Sequence, residues 1–370
     1  MILPFMILPS MILPLEGSAE PALKDAFKDT FLIGAALSQD QFSGSGGCAT
    51  ELIPRQFNSI TPENILKWEP VHPSPDKYDF VPGDRYVAFG EQNHMFLIGH
   101  NLIWHQQTPR WVFQDDKGNP VTRDVLLARM RDHISTVVGR YKGKIRGWDV
   151  VNEALEENGS LRRSPWLTII GEDYLLKAYQ FAHEADPAAE LYYNDYSLEN
   201  APKRKGAVEL LKKLRGQRAQ ITGVGLQGHY KMDRPSPAQV DETIETFSKL
   251  GLKVMITELD IDVLPQANRS VGADVSARAA AQPGLNPYTN GLPDAVQKKL
   301  ADRYAELFRV FLKHRSAISR VTFWGVNDAH SWLNYWPVRG RINYPLLFDR
   351  ECRPKPAFNA VIGLSPPAQP

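Results

Sequence analysis

Eight short apolar segments alternate with longer stretches of helical spacing from about residue 25 onward, and this alternation limits the possible fold more than any other feature. The clearest helical stretches are 125–141, 201–215, 237–250 and 296–314, where apolar residues recur every three or four positions. The predicted strands cover residues 31–37, 57–61, 95–104, 145–152, 190–194, 221–227, 253–260 and 321–326. Because strands that alternate with helices form parallel sheets, eight such units over roughly 340 residues predict an α/β protein with a single (β/α)8 barrel, the TIM barrel.

A doubly wound open sheet is the alternative to a closed barrel. Such a sheet usually carries a glycine-rich phosphate-binding turn directly after its first strand. Here the first predicted strand runs into Leu-Ser-Gln-Asp at positions 37–40, and Gly44, Gly46 and Gly47 lack the GxGxxG spacing. The barrel is therefore the favoured interpretation.

Ring-bearing, amide and acidic side chains are concentrated where the predicted strands end. In chain order they are Glu63, Asn64, His100, Trp104, His105, Asn152, Glu153, Asn194, Tyr196, Gln227, His229, Glu258, Asp260, Trp324 and Trp332. The carboxyl ends of the strands form the active-site face of a (β/α)8 barrel. The sequence therefore predicts a site that these residues build together.

Glu153 and Glu258 each stand at the end of an apolar strand, in the segments WDVVNEA and VMITELD. A buried carboxylate needs partners, and two of them on separate strands predict a pair that faces across one cleft. Hydrolysis of a glycosidic bond uses such a pair, with carboxyl groups ~5–5.5 Å apart in retaining enzymes and ~6.5–9.5 Å apart in inverting ones. We predict Glu153 as the general acid/base and Glu258 as the nucleophile. The alternative for either residue is a salt bridge to a nearby Lys or Arg.

Three neighbours of the two glutamates are predicted to support them. Asn152 precedes the acid and could hydrogen-bond the 2-hydroxyl of the sugar. Asp260 leans to the same side of its strand as Glu258 and could orient His229, which would then donate to Glu258 and keep it ionised. Taken alone, His229 would more often be a structural residue.

The segments WDVVNEA, ITELD, GHNLIWH, TPENxxKW, GLQGHY and FWGVND occur in this order between residues 25 and 362. Together they resemble the motifs of glycoside hydrolase family 10, the endo-β-1,4-xylanases. The resemblance implies retaining hydrolysis of the β-1,4-xylosidic bonds of xylan, with Glu153 as acid/base and Glu258 as nucleophile. A retaining β-1,4-glucanase or aryl-cellobiosidase with the same two glutamates is the alternative.

The same resemblance implies the substrate-binding residues. Those on the glycone side are Glu63, Asn64, Lys67, His100 and Trp104. Lys67 could instead be a structural partner of Glu63.

Further binding residues are implied next to the reacting sugar. Gln227 would contact the sugar or Glu153, while Trp324 and Trp332 would form an aromatic wall that favours xylose over a hexose. For Arg110, Trp111, Asn194 and Tyr196, packing is at least as good an interpretation as substrate contact.

Composition excludes several partners. The 43 basic and 42 acidic residues are interspersed and give a net charge of +1, so nucleic acid and anionic membranes are poor candidates. The only two cysteines, Cys48 and Cys352, lack metal-ligand spacing. Free thiols are favoured for them, and a disulfide between the first and last turns of the barrel is the alternative. We expect a monomer without cofactor or metal.

The N-terminal residues 1–14 repeat the letters MILP three times. The stretch lacks the basic start of a secretory signal, and Pro4, Pro9 and Pro14 prevent a continuous membrane-spanning helix. We interpret residues 1–20 as a leader or tag, and residues 21–365 as the catalytic barrel. Since a plant polymer cannot cross a membrane, the implied function predicts secretion to the periplasm or outside the cell.

A long stretch rich in Ala, Gly, Pro and Ser, 264–293, follows the seventh predicted strand. Loops of this length in compact domains are usually functional or mobile. It either shapes one rim of the cleft or is a solvated insertion.

Two rival functions remain open. A metal-dependent barrel hydrolase could use His100, His105, His229 and His330, but the first strand has no histidine for the usual H-x-H pair. A non-catalytic sugar-binding barrel would keep the tryptophans but would normally lack one of the two glutamates.

Overall fold

The computed structural model describes residues 21–266 and 273–366. The interpreted leader, residues 1–20, lies outside the described residues, as does the 267–272 part of the long stretch after the seventh predicted strand. None of the helices in the described ranges combines the length and apolar character needed to cross a bilayer.

The described residues contain a closed barrel of eight parallel strands and one short additional strand. The strands are β1 (Leu32–Leu37), β2 (Ser59–Pro62), β3 (Phe96–Ile103), β4 (Gly147–Asn152), β5 (Glu190–Asp195), β6 (Gly223–Leu226), β7 (His229–Lys231), β8 (Lys253–Asp262) and β9 (Ile318–Phe323). The order around the barrel is β1-β2-β3-β4-β5-β6-β8-β9, and pairing of β9 with β1 closes it. The predicted (β/α)8 barrel is confirmed.

Within 21–266 and 273–366, helices precede β1, connect successive strands and follow β9. They are α1 (Leu23–Ala26), α2 (Gln39–Phe42), α3 (Cys48–Gln56), α4 (Trp68–Val71), α5 (Val81–Gln92), α6 (Arg110–Phe113), α7 (Arg123–Arg140), α8 (Pro165–Ile170), α9 (Tyr174–Ala185), α10 (Ala201–Gly216), α11 (Pro237–Ser248), α12 (Asp294–Lys313) and α13 (Pro356–Ile362). Capping residues set some of these boundaries. Thr122 accepts from the backbone of Val125 to start α7, and Ser236 with Gln239 forms a capping box at α11.

The sixth and eighth predicted strands differ from the observed ones. The segment 221–227 shortens to β6, and the chain resumes pairing in β7 after Gly228, whose φ of +81° suits glycine. The last strand starts three residues earlier than predicted and contains Arg320. This arginine is buried, donates to Thr322 at 3.1 Å and lies over the ring of Tyr192, so a search for apolar runs could not include it.

Two of the sequence motifs pack directly against each other. Gly99 of β3 lies against Trp148 of β4, and a β-carbon at Gly99 would approach the indole to 2.1 Å. Trp148 itself is fully buried. The glycine of GHNLIWH therefore makes room for the tryptophan of WDVVNEA, and this contact holds two site-bearing strands together.

Cys48 and Cys352 form a disulfide, so the interpretation as free thiols is wrong. Cys48 begins α3, just after the loop that follows β1, and Cys352 precedes α13 after the last strand. The bond joins positions 304 residues apart in sequence. Closure of the barrel makes its first and last units neighbours, which spacing along the chain alone does not reveal.

Candidate active site

A cleft of about 610 Å³ opens at the carboxyl ends of the barrel strands. The predicted site residues that line it are Glu63, Asn64, Lys67, His100, Trp104, Asn152, Glu153, Gln227, His229, Glu258, Trp324 and Trp332. Asp260 lies behind His229 and holds its ring. The structure thus brings the predicted residues to one place, from six barrel strands, the short strand β7 and the segments that follow them.

Glu153 follows β4 in a left-handed backbone conformation with φ of +57°. Non-glycine residues rarely adopt this conformation, and where they do it often serves a site. The side chain is 4 % exposed and accepts hydrogen bonds from Trp104 Nε1 at 2.8 Å, Gln227 Nε2 at 3.0 Å and Asn152 Nδ2 at 3.2 Å. Burial raises the pKa of Glu153, and the donors from Gln227 and Trp104 offset this only in part. The site favours its protonated form.

Glu258 lies within β8, where the pairing register with β9 shifts between Ile256 and Leu259. Such irregularities turn side chains and are frequent beside active sites. Its carboxylate is 5 % exposed and accepts from Asn194 Nδ2 at 2.8 Å and His229 Nε2 at 3.2 Å. Burial works against its charge, but these donors hold the pKa of Glu258 below its ordinary value. The site favours its ionised form.

His229 is held between two acidic residues, in the arrangement that the sequence predicts. It pairs with Asp260 in the register of β7 and β8, and its Nδ1 lies 3.0 Å from Asp260 Oδ1. Burial alone would lower its pKa, but Asp260 and Glu258 raise the pKa of His229 to about 10. A protonated His229 donates from both ring nitrogens, which fixes its orientation and stabilises the charge on Glu258.

Asn194 connects the two glutamates, a role that the sequence left open against packing. It pairs with Asn152 in the register of β4 and β5. Its Nδ2 donates to Asn152 Oδ1 at 2.9 Å and to Glu258 Oε1 at 2.8 Å, while Thr257 donates to its Oδ1 at 2.6 Å. Through Asn152, these bonds reach Glu153. The sequence signal for this position is an amide side chain at the end of an apolar strand, and the structure buries it fully.

Lys67 is a buried cation on one side of the cleft. Its Nζ donates to Asn64 and Gln107, both at 2.9 Å, and lies 4.8 Å from the centre of the Trp104 ring. Burial lowers the pKa of Lys67, although nearby carboxylates including Glu63 oppose the effect. Lys67 is therefore positioned by amide groups, and Gln107 joins the site without having been predicted.

His100 and Glu63 complete this side of the cleft. His100 Nδ1 lies 2.8 Å from Asp149 Oδ2, and its ring meets Trp324 edge-on at 5.4 Å. Burial raises the pKa of Glu63, with Lys67 opposing. Imidazole, carboxyl and amide groups here can hydrogen-bond the hydroxyl groups of a sugar.

The aromatic wall includes one tryptophan that the sequence did not single out. Trp332 donates to Asp260 Oδ2 at 2.6 Å, and its ring lies 4.8 Å from that of His229. Trp336 stacks on Trp332 at 4.5 Å and also lines the cleft. The WLNYW spacing, with both rings four positions apart, is the available signal. The ring of Trp324 lies 6.2 Å from that of His229 and nearly perpendicular to it.

The other three weaker candidates, Arg110, Trp111 and Tyr196, lie outside the cleft lining. Tyr196 lines a second cavity and accepts from Arg162 at 2.9 Å. Trp111 donates to the carbonyl of Pro73 at 3.1 Å, and neither it nor Arg110 is part of the cleft lining. Packing is the better interpretation for Trp111.

The four histidines of the metal-hydrolase alternative have separate partners. Besides His100 and His229, His330 lies 3.6 Å from Asp40. Burial, followed by the charge of Arg162, lowers the pKa of His105 to about 3. Across 21–266 and 273–366, no cluster of three or more side chains has the geometry of a metal site.

A (β/α)8 barrel with one carboxyl group of raised pKa and another of lowered pKa at its mouth has the groups that glycoside hydrolysis requires. The model of Glycosyl hydrolase family 10 matches residues 22–364, and the chain belongs to this family. The resemblance of the sequence motifs is thereby confirmed.

Named relatives and solved structures agree with this membership. Endo-1,4-beta-xylanase A of Xylanibacter ruminicola is 44% identical over 356 residues, which cover 96% of each chain. Beta-1,4-xylanase of Dictyoglomus thermophilum is 42% identical, covering 94% of this chain and 92% of the relative.

Among solved structures, an endoxylanase of the same family retrieved from a sugarcane soil metagenome superposes with a TM-score of 0.90 at 46% identity, covering 93% of this chain and 100% of the other. A mutant protein in complex with xylotriose superposes with a TM-score of 0.84 at 35% identity, covering 93% and 99%.

Proposed function

We propose that the protein is an endo-1,4-β-xylanase that hydrolyses β-1,4-xylosidic bonds in xylan and xylo-oligosaccharides with retention of configuration. The observation that carries the proposal is the opposite effect of one cleft on two glutamates, raising the pKa of Glu153 and lowering that of Glu258. Opposed shifts of this kind mark an acid and a nucleophile. The xylanase relatives and the xylotriose complex support the choice of substrate.

In the first step, the ionised carboxylate of Glu258 attacks the anomeric carbon while Glu153 gives its proton to the leaving oxygen. The glycosidic bond breaks, the shortened chain leaves with a free hydroxyl group, and an ester joins the sugar to Glu258. Asn194 and His229 hold Glu258 in position through the bonds at 2.8 and 3.2 Å. His229 also limits the basicity of the carboxylate, which helps it to leave in the second step.

In the second step, Glu153 accepts a proton from a water molecule, which attacks the anomeric carbon and displaces Glu258. The products are a sugar of the original configuration and a regenerated enzyme with Glu153 protonated. The loss of charge at Glu258 on ester formation removes one negative neighbour of Glu153 and lowers its pKa, which suits the change from acid to base.

The choice between xylan and a glucan depends on room beside the reacting sugar. The rings of Trp324 and Trp332 both lie near that of His229, and Trp336 stacks on Trp332. This wall is expected to crowd the hydroxymethyl group of a glucose unit. The wild-type kcat/KM for an aryl β-xylobioside should exceed that for the matching β-cellobioside by at least about tenfold.

The variant Trp332→Ala should reduce this ratio, because it removes part of the wall while keeping both glutamates. A clear preference of the wild-type enzyme for the cellobioside would overturn the xylan assignment and leave the two-glutamate chemistry in place. If Trp332→Ala left the xylobioside-to-cellobioside ratio unchanged, the aromatic wall would not be the cause of the preference for xylose.

A further inference from the structure

The segment 273–278, here called the strap, reaches across the mouth of the barrel. It comes from the connection after β8, whereas Gln106 follows β3. In the order β1-β2-β3-β4-β5-β6-β8-β9, strands β3 and β8 stand on opposite sides. Gln106 Nε2 nevertheless donates to Asp274 Oδ1 at 3.1 Å, joining positions 168 residues apart. The strap therefore spans the opening.

Several contacts besides Gln106 order the strap. The indole of Trp336 donates to the backbone carbonyl of Asp274 at 3.2 Å. The Asp274 carboxylate also accepts from the backbone and hydroxyl of Ser276, at 2.9 and 2.7 Å. Just beyond the strap, Ala279 donates to the carbonyl of Pro337 at 3.0 Å, and Ala273 is buried. The carboxylate of Asp274 is thus presented to Gln106 by a fixed turn.

The two predicted catalytic glutamates lie beneath the strap. Glu258 is on β8, from which the strap departs, and Glu153 follows β4, the neighbour of β3. Ala273, Val275 and Arg278 of the strap line the same cleft as both glutamates.

The strap also divides the groove. A second cavity of about 500 Å³ is built by the segments after β4, β5 and β7, among them Glu157, Tyr196 and Arg234. This cavity and the catalytic cleft share two lining residues, Ala273 of the strap and His229 beneath it. A sugar chain that fills both cavities must pass under the strap at their junction.

We propose that the strap selects substrates by chain length and decoration, so that short, unsubstituted xylo-oligosaccharides are better substrates than the decorated polymer. The inference rests on the proposed xylanase function. A linear chain can enter end-first beneath the strap, whereas an internal part of a long chain can enter only when the Gln106–Asp274 bond opens. Side groups on the backbone add to the obstruction. Asp274 and Gln106 are specificity-determining residues in this account.

The test compares kcat/KM for polymeric arabinoxylan with kcat/KM for linear xylohexaose in the full chain. The single variants Asp274→Ala and Gln106→Ala should each raise the polymer-to-hexaose ratio at least about threefold. The double variant should raise it no further than the larger single effect, because both substitutions remove one contact. Gln92→Ala, an exposed glutamine at the end of α5, is the matched control and should leave the ratio unchanged.

If the polymer-to-hexaose ratio of kcat/KM rose less than threefold in both single variants, the proposal that the strap selects substrates would be wrong. If Asp274→Ala fails to fold, Gln106→Ala removes the same bond without disturbing the turn at Ser276. Failure of the proposed function gives a different result, since the wild-type enzyme would then hydrolyse neither xylohexaose nor arabinoxylan.

Discussion

Burial opposes the charge of Glu153 and of Glu258. Their neighbours therefore decide whether the pKa of each carboxyl group is raised or lowered. Glu258 receives donors from His229 and Asn194 and is held ionised. Glu153 receives amide and indole donors only, and the negative charges of Asp195 and Glu258 add to the effect of burial. The hydrogen bond from His229, together with the charges of His100 and His229, gives the pKa of Glu258 its opposite shift.

The pH dependence of kcat/KM should report these two groups. The general acid must be protonated, so activity falls as pH rises through the raised pKa of Glu153, and the alkaline limb lies above the ordinary value of 4.5. The nucleophile must be ionised, so activity falls as pH drops through the lowered pKa of Glu258, below that same value. Steady-state rates on xylo-oligosaccharides between pH 3 and about 9 should therefore give a bell-shaped profile of kcat/KM against pH.

Removal of the proton donor should change one limb only. Glu153→Gln should lower kcat/KM on xylan by about 10²- to 10⁴-fold and abolish the alkaline limb on a dinitrophenyl xylobioside, whose leaving group needs no proton. Glu209→Gln on the exposed face of α10 is the control and should match the wild type. If Glu153→Gln still showed the alkaline limb, another residue would be responsible for that limb.

Some site residues could be read from the sequence and others could not. Glu153 and Glu258 are visible because a carboxyl group at the end of an apolar strand is unusual. Asn194 is harder to assign, since its function depends on the register that places it beside Asn152. Gln107 enters the site only through the fold of the loop after β3, where its side chain reaches Lys67.

The disulfide ties the loop after β1 to the segment after β9, next to the rim of the cleft. Asn327 donates to Cys352 Sγ at 3.1 Å and caps the turn that bears His330. The bond joins positions 304 residues apart in sequence, and long loops lose the most unfolded-state entropy on cross-linking. It therefore stabilises the joint between the first and last units of the barrel.

Loss of this bond should lower stability more than activity. Replacing Cys48 and Cys352 together by Ser should reduce the free energy of unfolding by about 2–5 kcal/mol, seen as a lower thermal midpoint in circular dichroism. Reductant should lower the midpoint of the wild type to a similar extent and leave that of the variant unchanged. Equal midpoints for wild type and variant would contradict a stabilising role.

The bond also supports the proposal that the protein is secreted, because disulfides persist in oxidising compartments. Protein isolated from the medium or periplasm without reductant should carry no free thiol. Two free thiols per chain would contradict both the disulfide and its use as an argument for secretion.

The barrel strands follow from alternating patterns, whereas their ends depend on contacts between distant segments. Strand β9 begins at Ile318 and contains the buried Arg320, whose guanidinium donates to Thr322 and lies over the ring of Tyr192. The interruption after β6 depends on Gly228, and β8 reaches Asp262 because β7 pairs with its end. Periodicity in one segment carries no information about such partners.

Closure of the whole sheet brings together residues that are far apart in sequence. Glu153 and Glu258 come from strands that are not neighbours, yet the hydrogen bonds of Asn152 and Asn194 link them. The same closure places the strap from β8 against Gln106 after β3. The alternation of strand and helix patterns predicts the barrel, but the route of the strap depends on tertiary contacts of a loop with weak periodicity.

The most direct test of the account is to identify the residue that bonds covalently to the sugar. A dinitrophenyl 2-deoxy-2-fluoro-xylobioside should react with the enzyme and form a long-lived ester, because the 2-fluoro group slows both steps whereas the dinitrophenolate leaving group accelerates only the first. Peptide mass spectrometry should find one label per chain, on Glu258. A label on any other residue, or turnover without a covalent intermediate, would contradict Glu258 as the nucleophile.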